Sequence, residues 1–449
     1  MAKVNRIKAL FILNIIFFFI FCSSLRALEF IRDTELEKFT NDIIELLLND
    51  SNIEAKDINT YFINSNQINA FVTGGKNLFI NTELIIAAKD YREYAAVIAH
   101  ELAHINSGHV FRTSEEISNI SGKAMPIYLL GLISLIAGST DAGFAGVMVG
   151  QAAVSDTFTY YSRTQEAAAD QKAVAILCES KINASFLSSF LSILETAKSN
   201  NEFDKENYKS THPSPQNRIT WIQSAIDNYI MCDFEKNIEL ENRFNLLKAK
   251  LFGFTHSYQE TEAVYKSSKI DDLYAKAVSS YMNGDIAKSI ETLQKLIDEN
   301  TKNPFFKELI AEIYFTNQEY DNAVYFQLNA INDLNEDSDI YLMMLGNYLL
   351  STDDHDKVKE SINHLKRSIQ INFNNAYTWY LIAKAYAYMD NIALANYATA
   401  ERYFLIGEKS LSYDFALRAI ENIEKNTPEW YRTFDLIELL RKEVSINTN

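Results

Sequence analysis

Cysteine is nearly missing from this chain, with three in 449 residues, and neither Cys178 nor Cys232 has a cysteine or histidine partner at ligand spacing. A zinc site built on thiolates is excluded. Positive charge is also short, 42 Lys and Arg against 59 Asp and Glu, for a net charge of −17. That balance excludes nucleic acid as the main partner, which demands a basic face to displace counterions. No apolar run reaches the ~20 residues of a membrane-spanning helix. What remains is ordinary globular composition, 47% hydrophobic and 22% charged, in a chain too long for one core. At least two domains are expected.

The N-terminus sets the compartment. Lys3, Arg6 and Lys8 precede an apolar stretch from Ala9 to Cys22, and the small residues Ser23, Ser24 and Ala27 follow. This is the layout of a cleaved signal peptide over residues 1–27, which places the mature protein in the periplasm. Those residues hold four cations and no acids, so cleavage takes the net charge from −17 to −21. The bulky Phe21 before Cys22 argues against lipidation. In an oxidising compartment Cys178 and Cys232 either pair or remain free, and their positions leave both open.

Residues 29 to 57 read as an acidic helix with Leu36, Phe39, Ile43, Leu46 and Leu47 on one face. Two β-prone runs, Ala70-Phe71-Val72 and Leu78-Phe79-Ile80, flank Gly74-Gly75, which is a hairpin signal. A helix is then expected from Arg92 to Val110. Residues 124–154 are apolar and spaced with small residues, and each half is too short to span a bilayer. They fit a helical hairpin, either buried over the site or dipping into a membrane face. Beyond about residue 268 a period near 34 residues appears. Ala277, Tyr281 and Ser289 recur as Ala311, Phe315 and Ala323, followed by looser units around Gly346 and Ser361, then Trp379, Ala383, Tyr386 and Ala395, and a last helical pair after Ser412. Small residues at those offsets let paired helices approach.

The chemistry centres on His100-Glu101-Leu102-Ala103-His104. Two histidines four apart on a helix project from one face at a separation that one tetrahedral zinc spans, and Glu101 is aimed at the attacking water as general base. Zinc makes water acidic enough to attack near neutral pH and polarises the scissile carbonyl. A third protein ligand is required. His109 would point away from His100 on a continuing helix, so it is kept as a surface or supporting group. Glu166 is the better candidate, because Glu166 and Asp170 share one face of the next polar helix. One carboxylate can reach the metal while the other bonds a histidine N–H. Arg163, three residues before Glu166, is expected either to hold it by a charge pair or only to snorkel to solvent.

These residues carry a resemblance. His100 to His104, with Ser162-Arg163…Glu166…Ala169-Asp170, His212-Pro213…Arg218-Ile219 and the Asn69-Ala70-Phe71 hairpin, resembles the zinc metallopeptidase family that includes HtpX and the eukaryotic CAAX-processing proteases. With an export segment and a repeat tail, the chain is similar nearly end to end to periplasmic members that serve outer-membrane protein assembly. The resemblance implies one zinc per chain, with Glu166 as third ligand, and a loop that brings His212 to the zinc or the oxyanion, as a latch or as a donor. The expected fold is mostly α: an α+β zinc metallopeptidase domain with a small β-hairpin sheet over residues 28–255, then a tetratricopeptide-type α-solenoid over 256–449. The expected function is an endopeptidase for misfolded or stalled envelope proteins, docked through its repeats on substrates or on the outer-membrane assembly machinery. The alternative is a chaperone or adaptor of that machinery in which proteolysis is latched or secondary. Peripheral membrane contact through 124–154 is a further expectation.

Overall fold

The computed structural model describes residues 29–48, 53–73, 76–109, 163–200, 215–226 and 234–447. The signal peptide, the segment 124–154, His212 and Cys232 lie outside the described residues. Cys178 is disulfide-bonded.

The chain opens with strand β1 (Glu29–Ile31) and helix α1 (Thr34–Leu47), where a single longer helix was expected. The helix begins at Thr34 because the Asp33 side chain accepts a hydrogen bond from the Leu36 N–H, closing the first turn. Leu36, Phe39, Ile43 and Leu47 are buried along one face of α1. Strands β2 (Asn59–Asn64), β3 (Ala70–Thr73) and β4 (Asn77–Asn81) join β1 in a sheet of order β1-β2-β4-β3. β3 and β4 form the antiparallel hairpin, whereas β2 runs parallel to β4, so β3 is the outer strand beside the following helices. Helices α2 (Thr82–Ala87), α3 (Tyr91–Asn106), α4 (Arg163–Glu179), α5 (Ser185–Asn200) and α6 (Pro215–Ile226) complete the N-terminal half. One hydrophobic core joins α1, the sheet, α3, α4 and α5.

Helix α7 (Ile238–Thr255) belongs to two bodies at once. Leu240, Phe244, Leu247 and Leu251 are part of the N-terminal core, while Leu246 and Phe254 pack on the first repeat. At Gly253 a β-carbon would meet the Ala275 carbonyl oxygen at 2.7 Å, so only glycine lets the helices cross this closely. The short α8 (Tyr258–Val264) follows. Five helix pairs then form the solenoid: α9 (Ile270–Met282) with α10 (Ile286–Glu299), α11 (Pro304–Thr316) with α12 (Tyr320–Leu334), α13 (Asp339–Leu350) with α14 (His355–Ile371), α15 (Ala376–Tyr388) with α16 (Ile392–Leu405), and α17 (Lys409–Ile420) with α18 (Pro428–Asn447). Its small residues sit at helix crossings. Ala277, Ser289, Ala311 and Ala323 are fully buried, Ser289 donates to the Ala277 carbonyl at 2.7 Å, and a β-carbon at Gly346 would lie 2.5 Å from Leu365 Cγ.

A polar seam ties the two halves. The Arg32 guanidinium meets Asp339 at 3.1 Å, the Thr34 and Ser338 hydroxyls are 2.9 Å apart, and Tyr274 donates to Glu35 at 3.1 Å. Lys250, buried, reaches Asp33 at 2.6 Å, Glu35 at 3.3 Å and Glu308 at 3.8 Å. Burial pushes the Glu35 carboxyl up to about 7 against the pull of Lys250 and the Tyr274 hydrogen bond, with Asp33 adding to the rise. Burial likewise pushes Glu308 up to about 8, opposed by Lys250 and assisted by Glu312, Asp33 and Glu35. The folded state therefore holds protons that the unfolded chain releases near 4.5. This stabilisation is complete below about pH 4.5 and is lost as pH rises through about 7 to 8. Thermal unfolding should show lower stability at pH 8 than at pH 6, with Glu35→Gln removing about 1.4 kcal/mol of that difference. An unchanged slope in Glu35→Gln would assign the pH dependence elsewhere.

Candidate metal centre

Helix α3 is capped by Asp90, whose side chain accepts from the Arg92 N–H, and from Tyr94 to Ile105 each of its residues is buried. A helix enclosed on all sides puts its polar residues where water does not reach, and those residues are His100, Glu101 and His104, 3%, 1% and 0% exposed. Helix α4 crosses α3 and contributes Glu166 and Asp170 from one face, both buried. The three sets of donor atoms converge. The Nε2 atoms of His100 and His104 are 3.1 Å apart, Glu166 Oε2 is 3.5 Å from His100 Nε2, and Glu166 Oε1 is 3.4 Å from His104 Nε2. Among the described residues this is the group of histidines and acids that could hold a metal ion.

The spacing fits a small ion. Metal–ligand bonds of about 2.0–2.1 Å in a tetrahedron give ligand–ligand edges of about 3.3–3.4 Å, close to the separations found. The charge fits too. Glu101, Glu166 and Asp170 face one buried guanidinium, Arg218, leaving two formal negative charges in a dry pocket. Such a pocket favours a divalent cation. The same imbalance is visible in the histidine. Burial and Arg218 work against a charge on His100, yet the Asp170 and Glu166 carboxylates outweigh them and raise it to about 9. Burial raises Asp170, but Arg218 and His100 more than reverse this and hold it below the usual carboxylate range.

The remaining side chains surround these atoms. Asp170 Oδ1 lies 2.9 Å from His100 Nδ1, the arrangement that fixes a ring so that Nε2 faces the metal position. His109 is buried with its Nδ1 3.1 Å from His104 Nδ1, although a continuing helix would have turned it away. The helix does not continue: α3 ends at Asn106, Gly108 takes φ +63°, and the reversed chain folds His109 back on His104. Arg163 does not reach Glu166; it is exposed at the start of α4. The guanidinium at Glu166 belongs to Arg218 of α6, 3.2 Å from Oε2, which also grips Asp170 in a two-pronged bond at 2.9 and 2.7 Å. No role was assigned to Arg218 from sequence, although it stands in the His212-Pro213…Arg218 motif. A cavity of about 20 Å³ beside His100 and Glu101 is lined by Asn69 and Ala70 at the start of β3, by Leu84 and by Arg218. That volume matches the size of one water molecule.

Comparison with known proteins agrees with this geometry. Residues 30–226 match the model of Peptidase family M48, and residues 186–400 match that of ChAPs, the Chs5p-Arf1p-binding proteins. The chain is 22% identical over 431 residues to the beta-barrel assembly-enhancing protease of Escherichia coli, covering 92% of this chain and 84% of that one. A putative beta-barrel assembly-enhancing protease of Vibrio cholerae is 23% identical over 414 residues, covering 88% of this chain and 81% of that one. Residues 30–226 thus resemble a metallopeptidase domain of family M48, and the helix pairs of the solenoid follow them.

Proposed function

We propose that this chain is a family M48 metallopeptidase, a zinc-dependent endopeptidase of the periplasm that cleaves misassembled β-barrel proteins, with its solenoid as the docking surface. The observation that carries the reading is the convergence of His100, His104 and Glu166 on one buried position with Glu101 alongside. A zinc ion held by those three side chains would polarise the scissile carbonyl and bring the acidity of water toward neutral pH. Glu101 takes the proton of the attacking water and delivers it to the leaving amine as the peptide bond breaks. Asp170 keeps the His100 proton on Nδ1, so that Nε2 remains a lone-pair donor. The outer strand β3 starts beside the same cavity, so an extended segment laid along β3 would pass Glu101.

The relatives are named for enhancing β-barrel assembly, which suggests the substrate class, β-barrel proteins during assembly. The N-terminal segment 1–27 supports export, and no helix among the described residues is long and apolar enough to cross a membrane. His212, outside the described residues, remains in this reading either a cover for the zinc position or a donor to the oxyanion.

The test is direct. The mature chain should carry about one zinc per molecule and cut an unfolded β-barrel precursor at internal sites, leaving the folded barrel intact. A fully zinc-loaded protein that leaves the unfolded precursor whole would sink the endopeptidase reading.

A further inference from the structure

Arg218 comes from a different element from every candidate ligand, yet it touches most of the centre. It is 2% exposed and among the largest fully buried side chains. Its Nε and Nη2 bond Asp170 Oδ2 and Oδ1 at 2.9 and 2.7 Å, and its Nη1 lies 3.2 Å from Glu166 Oε2. Nη2 also lies 3.2 Å from His100 Nδ1. A planar fork matched to a carboxylate fixes orientation as well as charge, which a lysine ammonium does not.

We propose that Arg218 is the positioning residue that selects the metal: by holding Glu166 Oε2 and both oxygens of Asp170, it leaves Glu166 to offer one oxygen and so favours a small four-coordinate ion over oxygen-seeking ones. This rests on the metallopeptidase reading. Without the guanidinium the pocket keeps three carboxylates, and Glu166 is free to offer two oxygens. Ions that take six or more oxygen ligands, manganese(II) among them, gain from that change, whereas tetrahedral zinc does not. Asp170, released from the fork, no longer fixes the His100 ring, and zinc loses the support that such partners give its ligands.

The experiment measures zinc and manganese(II) affinities of the full mature chain by chelator competition, for the parent, Arg218→Met and Arg218→Lys, with near-ultraviolet circular dichroism to follow folding. Zinc binding should weaken by about 10–100-fold in Arg218→Met, and the preference for zinc over manganese should fall at least tenfold. Arg218→Lys should keep the fold and the charge yet still lose part of the preference, since one ammonium cannot reproduce the fork. A general loosening of the protein lowers both affinities together and leaves their ratio unchanged, and that result overturns the proposal. So does unfolding of both variants while the metal-free parent stays folded, because it reduces Arg218 to a structural residue. A parent that binds no zinc would instead defeat the metallopeptidase reading itself.

Discussion

Replacing Glu101 by glutamine is expected to leave the metal in place and to lower the rate of peptide cleavage by about 10²–10⁴-fold, the range for losing a general base. The amide has the shape of the carboxylate but cannot accept a proton from the attacking water. Glu101 is 1% exposed and lines the same cavity as His100, so a substitution that keeps its volume preserves the packing. It also lies outside the group His100, His104 and Glu166, so zinc content should stay near the parent value. The measurement is cleavage of an unfolded polypeptide at equal zinc loading. A rate within about threefold of the parent would remove Glu101 from the proton transfer.

Loss of a ligand acts one step earlier. His104→Ala or Glu166→Ala leaves two donors where three converge, and zinc affinity should fall by more than the about 10–100-fold that a supporting residue costs. After gel filtration these variants should be nearly metal-free and inactive. His109→Ala should behave differently, because His109 meets His104 through Nδ1, on the side of the ring away from Glu166. It should fill with zinc when zinc is in excess. Glu166→Ala that retains full zinc through gel filtration would show that the third ligand is another group.

Much of this site could be read from spacing, because helices make spacing geometric. His100 and His104 lie one turn apart, as do Glu166 and Asp170, and each pair shares a face whatever the rest of the chain does. The repeats were legible for the same reason: Ala277, Ser289, Ala311 and Ala323 mark local crossings. Arg218 was not, since it sits 118 residues from His100 and meets it only through tertiary packing. Arg163 was favoured for its nearness to Glu166. Side chains on a helix lean toward its N-terminus, however, so one at the first position of α4 leans out past the end. His109 was turned away by extending α3 too far; Ser107-Gly108 was the available stop signal. Asp33 likewise marked a helix start that was missed, which left β1 hidden inside a longer helix. The parallel pairing of β2 with β4 is non-local, and no short pattern announces it.

The seam between the halves also orders events in time. Arg32 and Thr34 stand near the start of the folded chain, and their partners Asp339 and Ser338 follow 307 and 304 residues later. At about 5–20 residues per second those partners arrive roughly 15–60 s after the segment they hold. Closing so long a loop costs little more than closing one half its length, about 0.6 kcal/mol, so the delay is kinetic. A chain interrupted before α13 has every residue of the metal centre and keeps the Lys250 and Tyr274 bonds to the first helix, yet lacks the Asp339 and Ser338 contacts to Arg32 and Thr34. The seam is thus completed only by the third repeat, which makes that repeat the last part of the chain to bear on the N-terminal segment.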